Sequence, residues 1–162
     1  MLSDRLLKSQ QLVRDQYDPN FSWIINSEPS LIHYKKKLSE SKIALLTSCG
    51  FFRLDTQLPF NAWSHLGDSS FREIHKDTPK DRIGVAHAHY DHRYVNEDIN
   101  VSLPIDRLEE FSQQQLIGSF YHWIYSFMGY NPEPRQLLLE TVPILLKRLK
   151  ADAVDAAIFT PC

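Results

Sequence analysis

Residues 42–50 read Lys42-Ile43-Ala44-Leu45-Leu46-Thr47-Ser48-Cys49-Gly50: an apolar run that opens on a lysine and closes on a turn of small residues. A strand with one wet face alternates polar and apolar side chains. A run without alternation is buried on both faces, as in a parallel sheet layered between helices. Asp155-Ala156-Ala157-Ile158-Phe159-Thr160 repeats the pattern and leads to Pro161-Cys162. Residues 81–86, carrying Ile83, Val85 and Ala86, are a further candidate strand, and residues 100–104 a short one. Residues 120–128 are rich in aromatic and β-branched side chains and stop at Gly129.

Helical patterns fall between these runs. Residues 105–117 form one, closed by Gly118. Residues 133–150 form the clearest, with prolines at the entry, leucines for burial, and Lys147, Arg148 and Lys150 at the cationic end. Pro143 inside it predicts a kink. Strands alternating with helices predict an α/β fold with a mainly parallel sheet flanked by helices, of the Rossmann or flavodoxin-like kind. Residues 51–80 lack periodicity and read as an irregular excursion. The first forty residues read as a helical arm. Ser3 caps a helix to about Gln16, Asp18-Pro19-Asn20 breaks it, and a second helix is expected over 29–38 with Lys35-Lys36-Lys37 at its end. The expected division is an arm over 1–40 and an α/β domain over 41–162.

The chain's 162 residues, 43% hydrophobic and 23% charged, fit a folded globular protein. A formal net charge of −2 gives no electrostatic reason for nucleic acid or an anionic membrane. No apolar run is long enough to span a bilayer, and the first residues lack a secretory signal, so the cytoplasm is expected. Neither a Gly-x-Gly-x-x-Gly nor a Gly-Lys-Ser/Thr cradle is present, so no nucleotide cofactor site is expected.

In open parallel sheets, ligands bind beyond the carboxyl ends of the strands. Cys49, His87, His89, Met128 and Cys162 each follow such an end in the pattern above, so a parallel sheet would gather them on one edge. His87-Ala88-His89-Tyr90-Asp91-His92 places three imidazoles and a carboxylate within six residues. Such a cluster can bind a metal, carry protons, or hydrogen-bond a loop. A metal reading would use His87, His89 and His92 to hold zinc, with Asp91 or a cysteine completing the set. A proton-transfer reading has His87 and His89 as donors or orienting groups and Asp91 fixing a histidine tautomer. Cys49 and Cys162 are the available sulfur nucleophiles. For Cys49, packing and reactivity are equally open, while Cys162 is the better candidate. A non-catalytic subunit with an aromatic interface (Phe51, Phe52, Trp63, Tyr121, Trp123) is a third reading.

The strand at 43–50, then Ser69-Ser70-Phe71-Arg72-Glu73, Tyr90-Asp91, Asp98-Ile99-Asn100, Pro104, Tyr125-Ser126-Phe127-Met128-Gly129 and the strand at 154–160 follow one another in an order that resembles the selenoprotein B family of glycine, sarcosine, betaine and D-proline reductases. The resemblance covers residue 42 onward and leaves the first forty residues outside. It implies an oxidoreductase working with a thiol or selenol, or a component of such a reductase system, that reductively cleaves a C–N bond in a small amine or amino acid. A selenocysteine or cysteine just beyond the last strand would be the nucleophile. Cys162 falls at that place, and is then itself the nucleophile, or one residue short, and the resemblance then implies a selenocysteine just beyond Cys162. The resemblance also implies a homo- or hetero-oligomer with a pyruvoyl-containing partner subunit or a thiol-redox protein.

Overall fold

The apolar run becomes β1 (Lys42–Thr47), the middle strand of a five-stranded sheet. The computed structural model describes residues 3–23, 25, 32–88 and 90–161. β7 (Ala156–Thr160) runs parallel to β1 along its whole length, from Ile43 opposite Ala156 to Thr47 opposite Thr160. β5 (Ser119–Phe120) pairs in parallel with the start of β1, and β6 (Trp123–Phe127) with its end. β3 (Phe71–His75) adds to β6 in the antiparallel sense, so the sheet is mixed but mostly parallel. The expected α/β class stands.

The missing alternation in β1 has a direct physical source. Ile43 and Leu45 pack with Ile74, Ile124, Leu103 and Leu108 in one core cluster. Ala44 and Leu46 pack with Tyr121, Tyr125 and Leu145 in another. α3 (Ile105–Gln113) supplies the first cluster through Ile105 and Leu108, and α4 (Val142–Ala151) the second through Leu145. Each buried leucine contributes about 1.5–3 kcal/mol by leaving water, which is why both faces of β1 must be apolar.

Several sequence expectations shift. Residues 81–86 do give a strand, β4 (Ile83–Val85), but it pairs antiparallel with β2 (Phe51–Arg53) in a separate ribbon. The excursion over 51–80 therefore holds two strands, β2 and β3. β3 escaped the pattern because Arg72 and Glu73 sit in its middle. Glu73 is neutralised by an ion pair with Arg148, and Arg72 turns to nearby loop carbonyls. Residues 100–104 are not a strand. Asp98 Oδ1 accepts the Asn100 amide at 2.9 Å and starts a 3-10 turn at Ile99–Val101 instead. α2 (Arg93–Glu97) is a short helix that precedes this turn.

The predicted kink at Pro143 is a change of helix. A wide π turn at Leu137–Thr141 passes into α4, and Pro143, which has no N–H to donate, falls in the first turn after the change. Of the helix expected over 29–38, residues 29–31 lie outside the described residues. Residues 32–37 are irregular, and Leu38–Glu40 form a single 3-10 turn. In place of a helix end, Lys36 pairs with Asp155 at 2.6 Å and Lys37 with Glu40 at 3.9 Å.

The chain divides into two compact units, Met1–Lys35 and Lys36–Cys162. Within the first, α1 (Asp4–Gln16) starts where expected: Ser3 is the N-cap, its Oγ accepting the Leu6 amide at 3.4 Å. Arg14 and Trp23 donate to the carbonyls of Phe21 and Leu6, tying the following segment back to the helix. No helix among the described residues is long and apolar enough to cross a membrane.

Candidate functional site

The carboxyl ends of β1, β6 and β7 meet, as the parallel pattern required. The Ser48 amide donates to Thr160 O at 3.1 Å, and the Gly50 amide to Phe127 O at 3.0 Å. Cys49 and Met128 form an isolated antiparallel bridge between them. Gly50 then receives the Ala86 amide on its own carbonyl at 2.9 Å, which fastens the histidine loop to the strand ends. Only glycine suits this position. Its φ is +71°, and a Cβ there would lie 2.5 Å from Ala86 O and 3.2 Å from His87 Cβ. Gly129 lies beside the imidazole: a Cβ there would stand 3.3 Å from Ser48 O and, at ordinary contact distance, 3.5 Å from His87 Nε2.

His87 is buried at 5% exposure and takes part in a cleft of about 450 Å³. Phe60, Trp63, Val85, Tyr90 and His92 are among the side chains that line it with His87. The Tyr90 ring packs edge-on against His87 with centroids 5.3 Å apart, and its hydroxyl donates to Cys49 O at 3.4 Å. His92 lies against Tyr90 at 4.6 Å and brings Nε2 to 2.6 Å from His87 O. A carbonyl oxygen only accepts, so His92 Nε2 carries a proton in this arrangement.

A second tie reaches the strand ends from the opposite direction. Asn100 Oδ1 accepts the Asp106 amide at 3.0 Å, and Asn100 Nδ2 donates to Asp98 Oδ1 and Asp106 Oδ2. These bonds hold Asp98 and Asp106 below the usual aspartate range: Asn100 is the leading cause for Asp98, and Lys80 followed by Asn100 for Asp106. The fixed turn presents Ser102 O to the sheet, where Thr160 Oγ1 donates at 2.7 Å and Thr47 Oγ1 at 3.3 Å.

The sequence candidates fare differently. His87 and His92 line one cleft. Cys49 lies at the junction but is fully buried in the core, its Sγ 3.8 Å from Thr160 O. Asp91 is exposed and binds Arg93, whose guanidinium beside it holds the carboxyl below its ordinary value. His89 and Cys162 lie outside the described residues. Among the described residues, no three His, Cys, Asp or Glu side chains gather around a metal position, and His92 Nε2 is committed to a carbonyl. His89 and Cys162, which the zinc reading also draws on, lie outside those residues. Of the aromatic residues expected at an interface, Phe51, Phe52 and Tyr121 are core, while Trp63 is 81% exposed at the cleft.

Sequence reasoning passed over Tyr90 as a packing partner and over Phe60 and Trp63 as a cleft wall. The wall sits in a segment without periodicity, and its one visible signal was the Ser70-Phe71-Arg72-Glu73 motif nearby.

Residues 13–162 match the family model described as glycine/sarcosine/betaine reductase selenoprotein B. The chain belongs to the glycine/sarcosine/betaine reductase selenoprotein B family. Membership extends farther toward the N-terminus than the motifs from residue 42 onward implied. Among curated members, the chain is 32% identical over 125 residues to the D-proline reductase subunit gamma of Acetoanaerobium sticklandii, which spans 77% of this chain and 50% of that protein. It is 32% identical over 127 residues to the glycine reductase complex component B subunit gamma of Carboxydothermus hydrogenoformans, covering 77% of this chain and 29% of the relative. The counterpart from Peptoclostridium acidaminophilum is 29% identical over 77% of this chain. The chain thus spans about half the length, or less, of these curated relatives. No solved structure matches.

Proposed function

We propose that this selenoprotein B family member acts inside a multi-subunit reductase as the thiol-bearing component that cleaves the C–N bond of a small amine or amino acid. The observation that carries the reading is the junction at Thr160. The end of β7 is locked to Ser48 and to Ser102 O, Gly50 two residues past Ser48 holds Ala86 at the start of the His87 loop, and the sequence continues from β7 directly to Cys162.

In this reading the Cys162 thiolate attacks the substrate carbon. A C–S bond forms as the C–N bond breaks, and the amine leaves with a proton from His87. A second thiol, from a redox partner, then attacks the Cys162 sulfur. The C–S bond breaks, the carbon takes up a proton, and the two sulfurs end as a disulfide, so two thiols supply the two electrons of the reduction. His87 suits the proton donor's role because it is buried among Tyr90, Gly129 and Gly50, where orientation is fixed. His92, through its bond to His87 O, holds the loop, and His89 would extend the proton path. Activation of the amine is left to the partner subunit.

The test is turnover of glycine, sarcosine, betaine and D-proline by the complex carrying Cys162→Ser. The reading expects loss of at least a thousandfold in kcat with the complex still assembled. Retained turnover removes Cys162 from the reaction.

A further inference from the structure

The Ser70-Phe71-Arg72-Glu73 motif is not used by the reaction above, yet its arginine is the most heavily engaged side chain next to the cleft wall. Arg72 extends from β3 across the segment leading to residue 70. Its Nε donates to Leu58 O at 2.9 Å and its Nη2 reaches Pro59 O at 3.4 Å. Nη1 donates to Ser70 Oγ at 2.9 Å and Phe71 O at 3.1 Å. The guanidinium carbon lies 4.3 Å from the centroid of the Phe60 ring, which is buried at 4% exposure. One planar cation therefore joins the entrance of the segment, its exit and the aromatic ring between them.

Asp68 closes the same segment from within. Its Oδ2 accepts the Asn61 amide at 2.9 Å, its Oδ1 accepts the Ser70 amide at 3.0 Å, and Ser70 Oγ bonds to Oδ1 as well. Tight local turns complete it: the Ala62 amide donates to Phe60 O at 2.9 Å and the Ser64 amide to Asn61 O at 3.1 Å. The part held this way, from Phe60 to Trp63, is one side of the cleft that His87, Tyr90 and His92 close on the other.

We infer that Arg72, with Asp68, is a positioning residue: it buckles the segment over 58–71 so that Phe60 and Trp63 stand as the substrate-facing wall opposite His87. This rests on the functional reading in taking the cleft as the substrate's. The buckle sets how well the substrate is held and leaves the chemical groups untouched.

The test is Arg72→Lys, which keeps the charge and loses the planar fork, examined in the chain and in its assembled complex. Amide exchange at Asn61, Ala62 and Ser64 is expected to quicken at least tenfold, with β1 and β6 unchanged. In the complex, KM for whichever of glycine, sarcosine, betaine or D-proline it turns over is expected to rise about tenfold, with kcat falling less than threefold. Asp68→Asn is expected to reproduce both changes more weakly, and it serves if Arg72→Lys fails to fold. Unchanged exchange overturns the inference. So does faster exchange with an unchanged KM, which would separate the buckle from the cleft. The exchange result needs no substrate. A wild-type complex that turns over none of the four amines would therefore defeat the functional reading, while the exchange result still decides whether Arg72 holds the wall.

Discussion

His92 Nε2 stands 2.6 Å from the carbonyl oxygen of His87, so one histidine of the cluster holds the backbone of another. The pair closes the loop that Ala86 fastens to Gly50 O, with the His87 ring packed against Tyr90. Removing this bond should cost about 1 kcal/mol of stability. Because His87 then loses its setting, kcat should fall by more than that loss of stability implies. His92→Ala is expected to lower kcat about tenfold or more while Tm drops only a few degrees. Unchanged kcat in a folded variant would show that the loop needs no such tie.

Gly50 tests the same loop from the other end. Gly50→Ala places a methyl against Ala86 O in a left-handed backbone, and the two penalties together should cost about 1–3 kcal/mol. Chemical denaturation should show a lower midpoint. Amide exchange should localise the loosening to residues 84–92. A neutral substitution would mean that the junction relaxes freely.

Asp68 gives a pH signature. Burial works against its carboxylate, but the hydrogen bonds from Ser70 and Asn61 outweigh burial and hold its pKa below the ordinary aspartate value. A depressed folded value means that the charged form stabilises the fold. That contribution is present above about pH 4 and is lost as pH falls through the folded value. The gap in Tm between wild type and Asp68→Asn should therefore be open at pH 7 and narrow toward pH 3. A gap of equal size at both would assign the difference to shape alone.

β1 was legible because burial on both faces leaves no other pattern. β7 was legible as a strand from its apolar run, and its end gathers with that of β1, but it is not the buried strand that run predicts: Ile158 and Phe159 are 40% and 61% exposed. Ser3 was legible as a cap, and Pro143 as a break, for equally local reasons. β3 was hidden because two charged residues sit in its middle: Glu73 is neutralised by Arg148, far along the chain, and Arg72 is satisfied mainly by loop groups whose folding back over it no local pattern shows. The strand expected near Asn100 failed for a nearer reason: Asx bonds from Asp98 compete with extended backbone and win. Of the histidines that residue type singled out, His87 and His92 line one cleft. Spacing could not tell that Asp91 would bind Arg93, or that Cys49 would be sealed in the core.

That contrast between the cysteines allows the most direct test of the central claim, that chemistry passes through Cys162 and not Cys49. The assembled complex would be titrated with iodoacetamide, and the labelled cysteine located by peptide mass spectrometry at each level of remaining turnover. The account predicts that alkylation of Cys162 parallels loss of turnover, that bound substrate slows both, and that Cys49 stays unlabelled until the protein unfolds. Full alkylation of Cys162 with turnover intact, or loss of turnover that follows Cys49, would contradict it.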